Sequence, residues 1–461
     1  MPSEPQDRSA LSGELERFLT SYPEARSFTM IYTDLCGVQR GKILRREELA
    51  ATYAHGRPFP ESVTVLDVTG EDVPETGLVF DHGDPDKPAR PIPGSLLPSP
   101  WAGPEAAQFQ VTIEDADGSP FFTDPRAILE RVIARFAELK LTPVVAVEME
   151  FYLLDIEAAA RHQAKAPHPQ NGHAAPNHLQ ANLLSDLEDF QPFFAELYQV
   201  CELQGLPART LLSEYAPGQM ELVLQHRSDA LLACDEALRL KRAIKGVAAK
   251  HGLCACFMAK PYADYSGSGM HLHASLETGD GKNLFASEDR LGNEALRHAI
   301  GGLKATMGEA MAIWAPGGNS YRRFRRASYA PMAASWGADN RTVSLRIPGG
   351  PAASRHVEHR VAGADANPYL VAAAVLAGIH KGLSEKLDPG APVEGNGYEQ
   401  KHEALPSNWF AALSALRSSG FLRDYFGADS LEVFAAIKEG EADRFFAEPT
   451  ALDFQYYLRT V

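Results

Sequence analysis

No run of apolar residues in this sequence is long enough to cross a membrane. The longest, around Pro368 to Ile379, falls short of the roughly 20 residues a spanning helix needs and is broken by glycine. The opening stretch, MPSEPQDRSALSGELERF, has neither an apolar centre nor a basic flank, so no secretory signal is expected and the cytoplasm is the expected location. Cysteine is scarce. Cys36, Cys201, Cys234, Cys254 and Cys256 form an odd set without a CxxC. Cys254 and Cys256 spell CxC, which two small residues on a buried strand explain more simply than a metal pair does. Basic residues are outnumbered, 44 Lys and Arg against 60 Asp and Glu, and the net charge of −16 repels nucleic-acid phosphates. No nucleic-acid or membrane partner is expected. A Walker motif and a kinase-type glycine loop are both missing, so any nucleotide site must be of another kind.

What is present is a chain of 461 residues, 45% hydrophobic and 23% charged, which is too long for one ordinary domain and reads as two. Residues 28–35, 62–69 and 108–114 read as strands, rich in β-branched and aromatic side chains. The segment DHGDPDKPARPIPGSLLPSPW is dense in Pro, Gly and Asp and reads as an extended loop. A turn-rich stretch then leads to Asp124–Pro125, an N-cap with proline at N1, and to the helical AILERVIARFAELK. The domain boundary is expected near residue 118, giving domains 1–117 and 118–461. The second part alternates strands (PVVAVEMEFYLL, QMELVLQ, ACFMAKP, GMHLHASL, TVSLRI) with helices at 187–204, 227–251, 289–314 and 367–385. Residues 161–182, with three prolines and four irregularly spaced histidines, read as a solvated insertion.

Four clusters carry chemistry. Glu148 and Glu150 lie two apart on a strand and therefore share a face. Two carboxylates among Val145, Val147, Phe151 and Leu153 are costly unless neutralised. A hard divalent cation would neutralise them; an edge strand with its polar face in water is the plain alternative. Glu214 and Glu221 flank the Pro217–Gly218 turn, which can fold them together. His271 and His273 share a strand face entered through Gly267 and Gly269. A lone histidine there would more often be a satisfied core residue. Finally, Arg322, Arg323, Arg325, Arg326, Arg341, Arg346, Arg355 and Arg360 crowd about forty residues of an acidic chain, and guanidinium forks suit phosphate and carboxylate oxygens. Carboxylates, a histidine and an arginine cluster are what phosphoryl transfer needs.

Taken in order, NSYRRF, GSGMHLHASL, NRTVSLRIP and ANPYL resemble the glutamine synthetases, and the resemblance runs from TDLCGVQRGK to LDFQYYLRTV. It implies an α+β fold, with an N-terminal β-grasp domain and a larger α/β catalytic domain. It also implies a homo-oligomer of two stacked hexamers, with each active site between neighbouring subunits. The cofactors implied are ATP and two or three divalent cations, Mg2+ or Mn2+. Glu150, Glu214 and Glu221 fall on the ligands of one metal, and Glu148, His271 and Glu358 on those of the second. Arg323, Arg341 and Arg360 fall where the family binds substrate carboxylates and the moving phosphoryl group. Arg346 matches a nucleotide-phosphate contact, and Lys260 and His273 lie on the ATP side. Gly267 matches a glutamate-binding backbone position, and Glu150 is expected among the substrate-binding residues as well.

The departures bear on the substrate. Ser266 stands where the family has a glutamate-binding Asn. The flap reads ASYAP, with Tyr329 in place of an acid that holds ammonium. The N-terminal loop FPESV puts Pro60 in the position of an Asp that helps deprotonate ammonium, with Glu61 beside it. A small buried cation without a counter-charge is expensive, whereas a longer amine can use apolar contacts. Tyr329 and Trp336 are expected to wall such a pocket. The pattern resembles the γ-glutamylpolyamine and γ-glutamyl-monoamine synthetase branch, ligases that begin amine catabolism. The alternatives are a glutamine synthetase using ammonium, which the Tyr329 flap speaks against, and an inactive relative, which the intact ligand positions speak against.

Overall fold

The computed structural model describes residues 8–173 and 179–461. The first seven residues, read above as lacking a secretory signal, and His178 of the 161–182 segment lie outside the described residues. Two sheets organise the chain. The first comprises β1 (Ser27–Thr33), β2 (Gln39–Arg45), β3 (Arg57–Pro60), β4 (Asp86–Pro91), β5 (Leu97–Pro98) and β6 (Ala106–Ile113), in the order β2-β1-β6-β4-β3 with β5 on β6. β1 runs parallel to β6 and antiparallel to β2. The helix Arg8–Ser21 and the short helix Leu49–His55 cover it through Leu11, Leu15, Phe18, Leu49 and Tyr53, against Phe28, Met30 and Phe109. This is a β-grasp-like arrangement.

The second sheet holds the chemistry. Its strands are β7 (Leu141–Asp155), β8 (Ala208–Ser213), β9 (Gln219–Leu224), β10 (Leu253–Cys256), β11 (Met270–Thr278), β12 (Trp336–Ala338), β13 (Leu345–Ile347) and β14 (Val357–His359). The order is β12-β13-β14-β11-β7-β9-β8, with β10 paired to β7. Only β12 and β13 pair in parallel. On β7, the alternation puts Val145, Val147, Met149, Phe151 and Leu153 into the main core. Met220, Leu222 and Leu224 of β9, and Met270, Leu272 and Leu276 of β11, join them. Helices Ala230–Lys250, Glu294–Thr306 and Pro368–Glu385 supply the other side of that core. Burying one face of every strand leaves the opposite face, with its charged residues, to a single shared surface.

Capping fixes the helix starts. Asp124 accepts the Arg126 N–H at 2.8 Å, with Pro125 in the first turn. Asn367 accepts the Tyr369 N–H at 3.0 Å, and its amide donates to the Asp34 carbonyl at 2.9 Å, joining the helix Pro368–Glu385 to the end of β1. The same sheet region lends Leu35, Cys36, Val65, Val73 and Val79 to the main core, so the two parts of the chain share apolar packing.

Several local expectations are corrected. Residues 62–69 are not a strand. A 3-10 turn spans Glu61–Val65, and beyond it Asp67 accepts the N–H groups of Thr69 and Glu71, which turns the chain. The proline-rich loop contains β4 and β5, in a register where Pro58 and Pro88, both lacking N–H groups, face each other. The helix expected at 187–204 is split into Leu184–Asp189 and Gln191–Leu203, with Pro192 opening the second piece. Phe257 to Pro261 do not continue β10.

Candidate active site

The polar face of the second sheet is built by register. Glu150 on β7 lies opposite Glu221 on β9. His271 on β11 lies opposite Glu148, and His273 opposite Glu358 on β14. Arg346 on β13 lies opposite Glu358. Glu214, just past β8, is folded back by the Pro217–Gly218 turn. Its carboxylate then comes within 4.8 Å of those of Glu150 and Glu221. Among the described residues none of these three has a Lys or Arg ion-pair partner; the nearest imidazole nitrogen is His271 Nε2, 3.9 Å from Glu150.

The electrostatics follow. Burial and the neighbouring carboxylates Glu148 and Glu150 push Glu221 up to about 10. Burial and Glu150 push Glu214 up to about 7. Glu148 behaves in the opposite way. Burial alone would raise it, but hydrogen bonds from His271 and His273 hold it well below the usual carboxylate range. Glu358 is almost fully buried, yet Arg360, His271 and His273 outweigh that burial and bring it down to about 2. Its carboxylate pairs with Arg360 and, at 3.0 Å, with Arg346. Arg346 also reaches Asp339 at 2.6 Å.

A second group of ligand atoms within 4.8 Å is Glu148, His273 and Glu358. His271, the expected partner of Glu148 and Glu358, stands between the two groups. Its Nδ1 is 2.6 Å from Glu148 and 3.6 Å from Glu358. Both histidines flank Glu148 because residues two apart on β11 share a face. Five carboxylates and an imidazole in two adjoining groups match the donors that Mg2+ and Mn2+ prefer, and three converging carboxylates without a basic partner call for a cation.

Around this centre, Arg323 is buried and spends its guanidinium on the carbonyls of Val361 (2.6 Å) and Arg360 (3.2 Å). Gly267 packs against its stem so closely that a Cβ would lie 2.6 Å from Arg323 Cγ. Ser266 offers its carbonyl to the Tyr152 hydroxyl at 2.7 Å. Lys260 is tied to the Tyr265 carbonyl, and burial, aided by Arg325, lowers its pKa. Arg341 is exposed and lines a cavity of about 610 Å3 with Tyr329, Arg290, Asn340, Pro392 and Glu394. Tyr329 is 61% exposed and held at φ +57°, a left-handed conformation unusual for an aromatic residue.

Two expected residues lie away from this centre, and one of them, Glu61, is expected to act in a neighbouring subunit's site. Trp336 lies in the main core at 2% exposure, and its indole N–H is taken by the Gly390 carbonyl at 3.1 Å. The wall expected from Tyr329 and Trp336 is corrected accordingly: β12 turns the indole inward, and Tyr329 stands at the surface without it. Glu61 is buried beside Lys87, 3.5 Å away, within its own chain. Sequence reasoning missed Gln219 and Tyr152, which bond around Glu150, and His356, 3.0 Å from His273. The signal for the first two was available: each sits two residues from a site carboxylate on the same strand.

The family model described as glutamine synthetase, catalytic domain, matches residues 122–457, and the chain belongs to the glutamine synthetase family. It is similar to the γ-glutamylputrescine synthetase PuuA of Escherichia coli (strain K12), at 39% identity over 99% of this chain and 97% of that protein. It is 34% identical to the glutamate–isopropylamine ligase of a Pseudomonas species, over 88% of this chain and 89% of that one. A structure of the GmaS/ADP complex superposes with a TM-score of 0.83 at 29% identity, covering 96% of this chain and 99% of that chain. Among the described residues no helix is long and apolar enough to cross a membrane.

Proposed function

We propose that this protein is an ATP-dependent ligase that joins the γ-carboxylate of glutamate to an organic amine, in amine or polyamine catabolism. The amine would be a polyamine such as putrescine or spermine, or a monoamine. The observation that carries the reading is the pair of oxygen-rich groups side by side on one sheet face, bordered by Arg346 and Arg360. Its kinship with ligases named for putrescine and isopropylamine supports the choice of amine over ammonium.

Glu150, Glu214 and Glu221 would hold one divalent cation, Mg2+ or Mn2+. Glu148 and Glu358, with His271 and His273 beside them, would hold the second. Bound there, the cations supply neutralisation of phosphate charge. Lys260, His273, Arg341 and Arg346 would face ATP, and Ser266, Gly267, Arg323 and Arg360 would hold glutamate. The γ-carboxylate of glutamate then attacks the γ-phosphorus of ATP, giving γ-glutamyl phosphate and ADP. The neutral amine attacks the acyl carbon and phosphate leaves, which divides one difficult condensation into two easier steps. An alkylammonium has a pKa of about 10, so the amine must lose a proton on the enzyme. Glu61 from the neighbouring subunit and Glu214 are the candidate acceptors; Glu61 lies 3.5 Å from Lys87. Residues 1–117 and 118–461 would act as N-terminal and catalytic domains in two stacked cytoplasmic hexamers, with residues 59–63 completing a neighbour's site.

The test is phosphate release from ATP with glutamate and Mg2+, scanned over putrescine, spermidine, spermine, ethanolamine and ammonium. One organic amine should far exceed ammonium. Equal efficiency with ammonium would refute the reading.

A further inference from the structure

Beside the pair Glu150–Glu221, the next rung of the same two strands is Tyr152 opposite Gln219. Both side chains point to the polar face, and both are buried, Gln219 at 1% exposure. Buried amides are expected to spend their donors, and Gln219 spends both of its N–H protons. Its Nε2 donates to the Gly267 carbonyl at 3.0 Å and lies 3.3 Å from Glu150 Oε2. Its Oε1 faces the Tyr152 hydroxyl at 3.2 Å. The amide orientation is forced: reversed, its oxygen would face the Gly267 carbonyl and the Glu150 carboxylate, both acceptors. Glu150 Oε2 also accepts the Gly269 N–H at 2.7 Å. This oxygen is therefore anchored on the segment 266–269 from two directions.

That segment has little freedom of its own. Ser268 N–H bonds the Ala259 carbonyl at 2.9 Å, and the Tyr152 hydroxyl holds the Ser266 carbonyl. A Cβ at Gly267 would meet Ala259 O and Arg323 Cγ, both at 2.6 Å. A shift of the Glu150 carboxylate is therefore transmitted through Gln219 to the Gly267 peptide instead of being absorbed by slack.

We propose that Gln219 is a positioning residue that couples cation binding at Glu150 to glutamate binding at the Gly267 backbone. The inference rests on the glutamate-ligase reading. A cation that fixes Glu150 fixes the amide hydrogen-bonded to it, and so the peptide that meets the amino acid. By reciprocity, glutamate must tighten the cation by the same factor.

The experiment titrates Mn2+ into the assembled wild-type protein, reading free Mn2+ by electron paramagnetic resonance, with and without saturating glutamate. Wild type should show tighter Mn2+ binding with glutamate, by about 5-fold or more. Gln219→Leu should still bind Mn2+ but with the glutamate effect reduced to within about 2-fold of none, and with KM for glutamate raised more than kcat is lowered. Gln219→Met, which preserves an unbranched chain, serves if the Leu variant does not fold; circular dichroism and thermal melting check both. Tyr152→Phe, which frees the Ser266 carbonyl but keeps Gln219, should weaken the coupling only in part. A full glutamate effect retained in a folded Gln219 variant would overturn the inference while leaving the ligase reading intact. A wild-type protein that binds no glutamate at all would overturn both.

Discussion

Glu150 and Glu221 stand directly opposite each other across an antiparallel strand pair, two carboxylates in register on the same sheet face. When both are ionised, as pH rises toward the value of about 10 to which Glu221 is raised, like charges so placed repel, at about 0.2–1 kcal/mol for a cross-strand pair. Glu221→Gln should therefore stabilise the metal-free protein increasingly as pH rises toward 10, by up to about 1 kcal/mol or roughly 1 °C in a chain of this length. The same change should abolish the rise in melting temperature that Mg2+ or Mn2+ gives wild type. Differential scanning calorimetry with and without cation measures both effects, and a metal-free variant less stable than wild type would contradict the account.

Protonation should be linked to cation binding. Glu214 and Glu221 are raised to about 7 and about 10, above the ~4.3 of an unfolded glutamate. The folded metal-free protein thus binds more protons than the unfolded chain. Its stability from these groups is complete below about pH 4 and is lost as pH rises through 7 and then 10. A cation needs the carboxylates, so loading near pH 8 should release about one proton, mostly from Glu221. Calorimetric titration in buffers of different ionisation enthalpy reads the number, and a buffer-independent enthalpy would rule it out.

Gly267 has no room for a side chain. Gly267→Ala places a methyl 2.6 Å from a fixed backbone carbonyl and from the Arg323 stem. The expected cost is about 1–3 kcal/mol of stability, with Arg323 displaced. Urea unfolding and glutamate KM should both respond. A variant with wild-type values in both would mean that the segment is softer than its contacts imply.

Tyr329 should govern amine choice. Tyr329→Glu with Pro60→Asp adds two counter-charges for a small cation, and losing such a partner typically costs about 3–5 kcal/mol. The ratio of kcat/KM for ammonium over the best organic amine should rise. Recovery will be incomplete if neighbouring bulk keeps the new acids from converging. A ratio that stays put or falls would remove Tyr329 from the specificity argument.

Much of the site was legible because strand periodicity is local. The spacing of Glu148 and Glu150, of His271 and His273, and of the Pro217–Gly218 turn between Glu214 and Glu221 states which residues share a face, and ordered motifs state the family. Gln219 and Tyr152 were equally periodic, yet an amide and a phenol do not advertise a role until their partners are known. Trp336 was misplaced for a different reason. An aromatic residue near a flap reads the same whether a three-residue strand turns it outward or inward, and that choice belongs to β13 and the Gly390 carbonyl.

The sequence by itself determined the alternation that segregates an apolar face from an acidic one, the helix cap at Asp124, and the family. Only the tertiary structure decided that Glu150 meets Glu221, that His273 as well as His271 reaches Glu148, and that Gln219 bridges Glu150 to Gly267. Face and cap are set by neighbours along the chain. Strand order and register are set by packing between segments far apart in sequence, where burial of the shared core selects one pairing among many.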